Sequence, residues 1–234
     1  MGKILRLRNF FKTKEKPLSF KRAHFLNQLS TPRLEEILLY SENDHTSRLW
    51  PKLENQHVAF LNDQKHKTVL NKIILQNPKL LLNTIYNGGD VLQEQQPDCV
   101  TVYSDIEHLA FRRNHIAVVI CPFILEEFET AARFIQHIST FMDNGSRLIL
   151  SLRHPQLENI LYNQNPDSLR VVEATLAKYH NLLKQCALYT EELAEGVVDL
   201  SVKAFFTDSE FDYYHEYKNT PLSLVLRTVK FIRK

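Results

Sequence analysis

The chain is short of glycine, cysteine and long apolar runs. It has 234 residues and only five glycines, so few positions allow a bare backbone or a positive φ. The three cysteines, Cys99, Cys121 and Cys186, are scattered, with no CxxC pair. An odd, dispersed set of this kind reads as buried thiols in the cytoplasm or another reducing compartment, not as a disulfide framework. No apolar run reaches the roughly 18 residues that a membrane span requires. A net charge of +2 gives no bulk electrostatic case for nucleic acid, and no nucleic-acid partner is expected. Ten histidines are present, but none falls in an HxH or HxxxH pairing. No metal site is therefore expected. No GxSxG elbow accompanies Ser104-Asp105 or Ser151.

What is present divides into a basic start and a long patterned remainder. Residues 1–22 carry Lys3, Arg6, Arg8, Lys12, Lys14, Lys16, Lys21 and Arg22 against Glu15 alone. Interleaved Ile4, Leu5, Leu7, Phe10 and Phe11 leave three readings open: a solvated arm, a segment that touches a membrane surface, or an organellar presequence. Residues 23–234 are expected to form one α/β domain.

The clearest stretch is His115–Leu152. An unbroken apolar run, Ile116–Cys121, precedes a helical segment over 125–142 on which Leu125, Phe128, Ala131, Ala132, Ile135, Ile138 and Met142 share a face. Asp143-Asn144-Gly145 then reads as the stop of that helix, and Leu148–Leu152 as a second strand. Strands with no polar alternation are covered on both faces, and a crossover of this length joins parallel neighbours. Upstream, helices are expected over 18–29, 33–53 (with Thr31-Pro32 as its start), 69–76 and 90–95. Strands are expected over 57–61, 79–85 and 99–103. Trp50 reads as a core residue. Downstream come a helix from 168 to 186, a helical Thr190–Gly196, and strands at Val197–Phe206 and Leu222–Ile232. Those last two are expected to pair as an edge hairpin. Phe205–Tyr217, rich in aromatics and acids, reads either as a lid or interaction surface or as a partly buried connection. The tally predicts a doubly wound, mostly parallel, seven-stranded Rossmann-like sheet with a C-terminal antiparallel strand.

Ser104–Pro155 resembles the class I S-adenosylmethionine-dependent methyltransferases. Asp105-Ile106 and Leu109-Ala110-Phe111 stand where that family has an acid with a small or apolar residue and a Leu-Pro-Phe turn. Met142-Asp143-Asn144-Gly145 corresponds to its Lys-Pro-Gly-Gly turn, and the end of the chain resembles its closing strand. The flavour is that of members acting on quinone rings or carrier-bound acyl chains.

The resemblance implies a set of cofactor contacts. Asp105 and Ile106 would flank the adenine, Asn62, Asp63 and Tyr86 would line the remainder, and Cys121-Pro122 would face the methyl group. The family holds its cofactor at an Asp-x-Gly-x-Gly-x-Gly loop after the first strand. Here that loop is Phe60–Lys67, without glycine and with long basic side chains, and the second strand ends at Ile85-Tyr86-Asn87 where an acid belongs. A second register, with 79–85 as first strand and Gly88-Gly89 as the loop, leaves too few strands before Cys99.

Two functions follow. One is a methyltransferase-fold protein with a degenerate loop, expected to use no cofactor in place of S-adenosylmethionine, acting as a binding, regulatory or assembly module with a protein partner. The other is a divergent methyltransferase on a small-molecule, quinone-like or carrier-bound substrate.

Overall fold

A computed structural model describes residues 31–62, 66–85, 95–96, 99–103, 116–122, 128–155, 157, 168–198, 200–205 and 221–232. The expected helix at 18–29, residues 90–94 of the helix expected over 90–95, and the basic arm lie outside them.

Helix α1 (Thr31–Arg48) leads to strand β1 (His57–Asn62), helix α2 (Lys67–Ile74) and strand β2 (Leu80–Ile85). Two-residue β3 (Gln95–Gln96) and β4 (Cys99–Tyr103) follow, so Gln95 is in a strand where a helix was expected. Strand β5 (Ile116–Cys121), helix α3 (Phe128–Ser139) and strand β6 (Met142–Arg153) form the unit that the apolar runs outlined. Helix α4 (Ser168–Gln185), strand β7 (Leu188–Val197), a 3-10 helix (Leu200–Phe205) and strand β8 (Pro221–Lys230) complete the order.

One sheet of eight strands runs β3-β4-β2-β1-β5-β6-β8-β7. Without the two-residue β3, the chain order reads 3-2-1-4-5-7-6. β1, β2, β4, β5 and β6 are parallel, while β8 runs antiparallel to both β6 and β7. The sheet is therefore mixed α/β, mostly parallel and Rossmann-like, with an antiparallel C-terminal strand. The order reverses between β1 and β5, which have neighbours on opposite sides.

Each face has its own core. Leu148, Leu150 and Leu152 of β6 point to one face, joining Phe134, Ile135 and Ile138 of α3 and Tyr179, Leu182 and Leu183 of α4. Ile149 points to the other, with Val58, Phe60, Val69, Ile73 and Val118. Trp50 packs against that second core, as expected of it.

Three expectations are corrected. Thr190–Gly196 is not helical. It lies in β7, paired with β8 along its length. Its glutamates meet arginines on β8 and, one strand further, β6: Glu191 meets Arg147 at 3.0 Å and Arg227 at 3.2 Å, and Glu192 meets Arg227 at 2.8 Å. Local helix propensity yields to that cross-strand pairing. Because β7 fills the free edge of β8, Val197–Phe206 is not the partner strand. Leu200–Phe205 is a 3-10 helix in which Val202 is buried and Ala204 exposed, so the alternation breaks.

Nor does Gly145 end a helix. Met142 pairs with Ile116, and pairing resumes with Arg147 opposite Val118. The intervening residues bow out, and Gly145 takes φ +92, which a side chain would resist.

Candidate functional site at the carboxyl ends of the strands

In an open parallel sheet the strand order reverses where two crossovers leave in opposite directions. The carboxyl ends of the strands at that point form a crevice. Here it lies between β1 and β5. Asn62 is the last residue of β1, opposite Ile85 of β2. Cys121 ends β5, fully buried, its thiol 3.7 Å from the Pro122 carbonyl oxygen. Of the six residues singled out for a cofactor, Asn62 and Cys121 are thus brought to neighbouring strand ends. Asp63, Tyr86, Asp105 and Ile106 lie outside the described residues.

Beside those ends stands a polar group that the sequence reading missed. Glu42 of α1 is 0% exposed and His66, just before α2, is 1% exposed. His66 Nε2 donates to Glu42 Oε2 at 2.9 Å. A carboxylate only accepts, so that nitrogen carries the proton. Ser151 of β6, also buried, donates its hydroxyl to the other oxygen of Glu42. Three separate segments therefore converge on one carboxylate.

Local sequence explains the convergence. In α1, Ser41, Glu42, His45 and Thr46 are buried between Ile37-Leu38 and Leu49, so the inward stripe is apolar, then polar, then apolar. His45 donates Nδ1–H to the Ser41 carbonyl at 2.7 Å. In β6, residue alternation sends Ser151 to the face of Ile149. Glycine is also needed beside this group: a Cβ at Gly196 would collide with the Ser223 hydroxyl and come within 3.2 Å of His45 Nδ1. The available signal was the run of buried-stripe positions occupied by Ser, Glu, His and Thr.

A buried carboxylate is costly unless paired and hydrogen-bonded. Glu42 is both. His66 meanwhile opens α2 without a side-chain capping hydrogen bond, because its ring is committed to Glu42. Among the described residues no group of three His, Cys, Asp or Glu side chains could hold a metal.

A second cleft opens at the opposite edge, where the strands begin. Its volume is about 630 Å³, with Lys52, His57, Ile116, Asn144 and Arg147 in its wall. None of the expected cofactor residues lines it. Close to that edge Lys230 donates to the Cys186 carbonyl at 2.6 Å. Burial pushes the Cys186 thiol up, against a hydrogen bond from Ser139 and the charge of Lys230. Burial pulls the Lys230 ammonium down, with Cys186 opposing.

No family model matches the chain, and no curated protein matches it. Solved structures do. An S-adenosylmethionine-dependent methyltransferase assignment from Listeria monocytogenes superposes with TM-score 0.63 at 13% identity, over 84% of this chain and 100% of that one. An S-adenosylmethionine-dependent methyltransferase from Mesorhizobium loti gives 0.58 at 12%, over 81% and 97%. A methyltransferase assignment from Haloferax volcanii, solved in complex with the Trm112 methyltransferase activator, gives 0.59 at 11%, over 85% and 92%. At these identities the likeness is one of fold, and the fold is that of the class I S-adenosylmethionine-dependent methyltransferases.

Proposed function

We propose that this chain is a methyltransferase-fold protein without normal cofactor binding, acting as a binding, regulatory or assembly module. The observation that supports this reading is the segment after β1. It contains no glycine from Phe60 to Lys67, and its described end, His66, is drawn inward onto Glu42. Close approach of backbone to a ligand needs bare residues there, so these residues do not fit the group. A protein partner agrees with the Haloferax neighbour, whose structure holds an activator protein. Residues 1–22 are proposed as a separate basic arm that can touch an anionic membrane surface, and 23–234 as the domain.

Titration calorimetry with S-adenosylmethionine and S-adenosylhomocysteine tests the reading. It expects no saturable binding up to about 1 mM, a ceiling of about −4 kcal/mol. Micromolar binding of either compound overturns it.

A second reading is favoured by the unbroken strand order around β1 and β5. It is a divergent methyltransferase on a small-molecule, quinone-like or carrier-bound acyl acceptor. S-adenosylmethionine would supply an activated methyl group. The chain's own part would be contact and positioning by Asn62, Asp63, Tyr86, Asp105, Ile106 and Cys121. If binding is found, Asp105→Ala should weaken it at least about tenfold, since a lost hydrogen bond to a charged or polar ligand group is worth about 1.5–3 kcal/mol. Unchanged affinity removes Asp105 from the site.

A further inference from the structure

Exposed apolar surface is concentrated at the end of the sheet where the parallel strands begin. Apart from Tyr40, the large apolar side chains exposed among the described residues are Ile74, Leu75, Tyr189, Phe231 and Ile232. Helix α2 runs back from the end of β1 toward the start of β2, which brings Ile74 and Leu75 to this end. Tyr189 lies at the start of β7, and Phe231 and Ile232 follow the last residue of β8. The Tyr189 and Phe231 rings meet edge to face, 6.4 Å between centroids. Apolar residues scattered singly over a surface are ordinary, whereas their collection at one end is not.

The two apolar groups flank the second cleft and are tied to its walls. On one side Leu53 N donates to Gln76 Oε1 at 3.4 Å and Asn55 N to the Asn77 carbonyl at 3.2 Å, between the wall residues Lys52 and Gln56. On the other, Ile232 N donates to Oδ1 of Asn144, itself a wall residue, at 3.0 Å. From β2 to β7 the order β2-β1-β5-β6-β8-β7 spans about 24 Å. With a helix about 10 Å thick on each face, this end is large enough to bury the roughly 800 Å² per partner of a standard interface.

Charge and symmetry single out the occupant. The cations here are answered within the chain, Lys52 by Glu54 at 2.5 Å and Arg147 by Glu191 at 3.0 Å. A polyanion or an anionic membrane surface therefore meets no net positive field. Both apolar groups also lie toward the same face. Helix α2 packs into the second core through Val69 and Ile73. Leu188 points into the first core, so Tyr189 points to the side of the second. A two-fold axis along the sheet normal, passing through the cleft, reverses the strand order but keeps the face. It sets Ile74-Leu75 of one copy on Tyr189 and Phe231 of the other, twice.

We propose that this end of the sheet is the interface of a homodimer, with the two clefts meeting at the axis as a hydrated polar centre. The β1–β5 crevice is at the opposite end and stays open in both copies. The inference gives the assembly reading one partner, a second copy, and it holds whether or not a cofactor binds.

Sedimentation velocity of the full chain tests it. The wild type should dimerise with a micromolar Kd, about −8 kcal/mol. Leu75 is 79% exposed and Phe231 52% exposed, so a charge at either position should leave the circular dichroism spectrum unchanged. Leu75→Lys and Phe231→Glu should each weaken association at least about a hundredfold, because each puts an unpaired charge against an apolar anchor. Mixed in equal amounts, the two variants should form a heterodimer. The lysine of one then meets the glutamate of the other, and the second contact is that of the wild type. A wild type still monomeric at about 100 μM overturns the proposal and leaves this end to a different protein. Dimerisation that neither variant weakens also overturns it, by placing the interface elsewhere. Variants that dissociate singly but do not associate when mixed overturn the two-fold pairing.

Discussion

One face of the sheet meets α3 and α4 through Phe134, Ile135, Ile138, Leu182 and Leu183, all buried and apolar. The opposite face meets α1 through Ser41, Glu42, His45 and Thr46, equally buried and all polar, set between apolar Ile37-Leu38 and Leu49. Apolar contact is non-directional, and neighbouring side chains partly relax around a loss. A carboxylate shared between an imidazole and a hydroxyl is directional, and removal of one member strands the others. The same sheet is therefore clamped by an apolar layer on one side and, on the other, by an apolar layer interrupted by a polar latch.

The largest effect should come from the apolar side. Phe134→Ala empties a fully buried ring position and should lower unfolding free energy by about 3–5 kcal/mol in urea denaturation, as one cooperative transition. A loss below about 1 kcal/mol would mean that α3 is not clamped as its packing indicates. On the latched side, His66→Ala removes one buried hydrogen-bond partner of Glu42 and should remove about 3 kcal/mol. The contrast is sharpened by His66→Leu. If an apolar residue of similar bulk is tolerated as poorly as alanine, the hydrogen bond to Glu42 and not the packing holds α1.

The difference between the faces also decides what could be read from the residues. The β5–α3–β6 unit was legible because its apolar face repeats at three and four residues between two unbroken apolar strands. Nothing in that stretch competes with the pattern except the bulge at Gly145. The order of the last strands was not legible. Thr190–Gly196 is rich in helix-forming residues, and its strand state depends on Arg147 and Arg227, which are 44 and 36 positions away along the chain from Glu191. The Glu42 group was hidden for the same reason. Glu42 and Ser151 are separated by 109 positions, and no local spacing marks the meeting. At the crevice, the loop without glycine was readable from composition alone, whereas the inward turn of His66 required the fold.

Gly196 offers a smaller test of how tightly the polar side is fitted. The residue lies where β7 passes Ser223 and His45, with no room for a Cβ. Gly196→Ala should lower stability by about 1–3 kcal/mol, the usual range for overpacking. Adding Ser223→Ala, which deletes the obstructing hydroxyl, should recover part of that loss. No recovery would place the obstruction at His45 and make the approach of β7 to α1 the tighter constraint.

The weakest expected effect is the pH dependence at Cys186 and Lys230, close to the edge where the parallel strands begin. Cys186 has its folded value raised. Its contribution is therefore fully present below the ordinary thiol value and is lost as pH rises through the folded one. Lys230 has its folded value lowered. Its contribution is present above the ordinary ammonium value and is lost as pH falls through the folded one. The two oppose each other in alkaline solution, so the wild-type curve hides both. Cys186→Ala should uncover a rise in stability with pH, the Lys230 contribution. Lys230→Met should uncover a decline as pH rises, the Cys186 contribution. Denaturation midpoints measured across the alkaline range separate the two slopes. Parallel curves for all three proteins would mean that burial at this edge leaves both groups at their ordinary values.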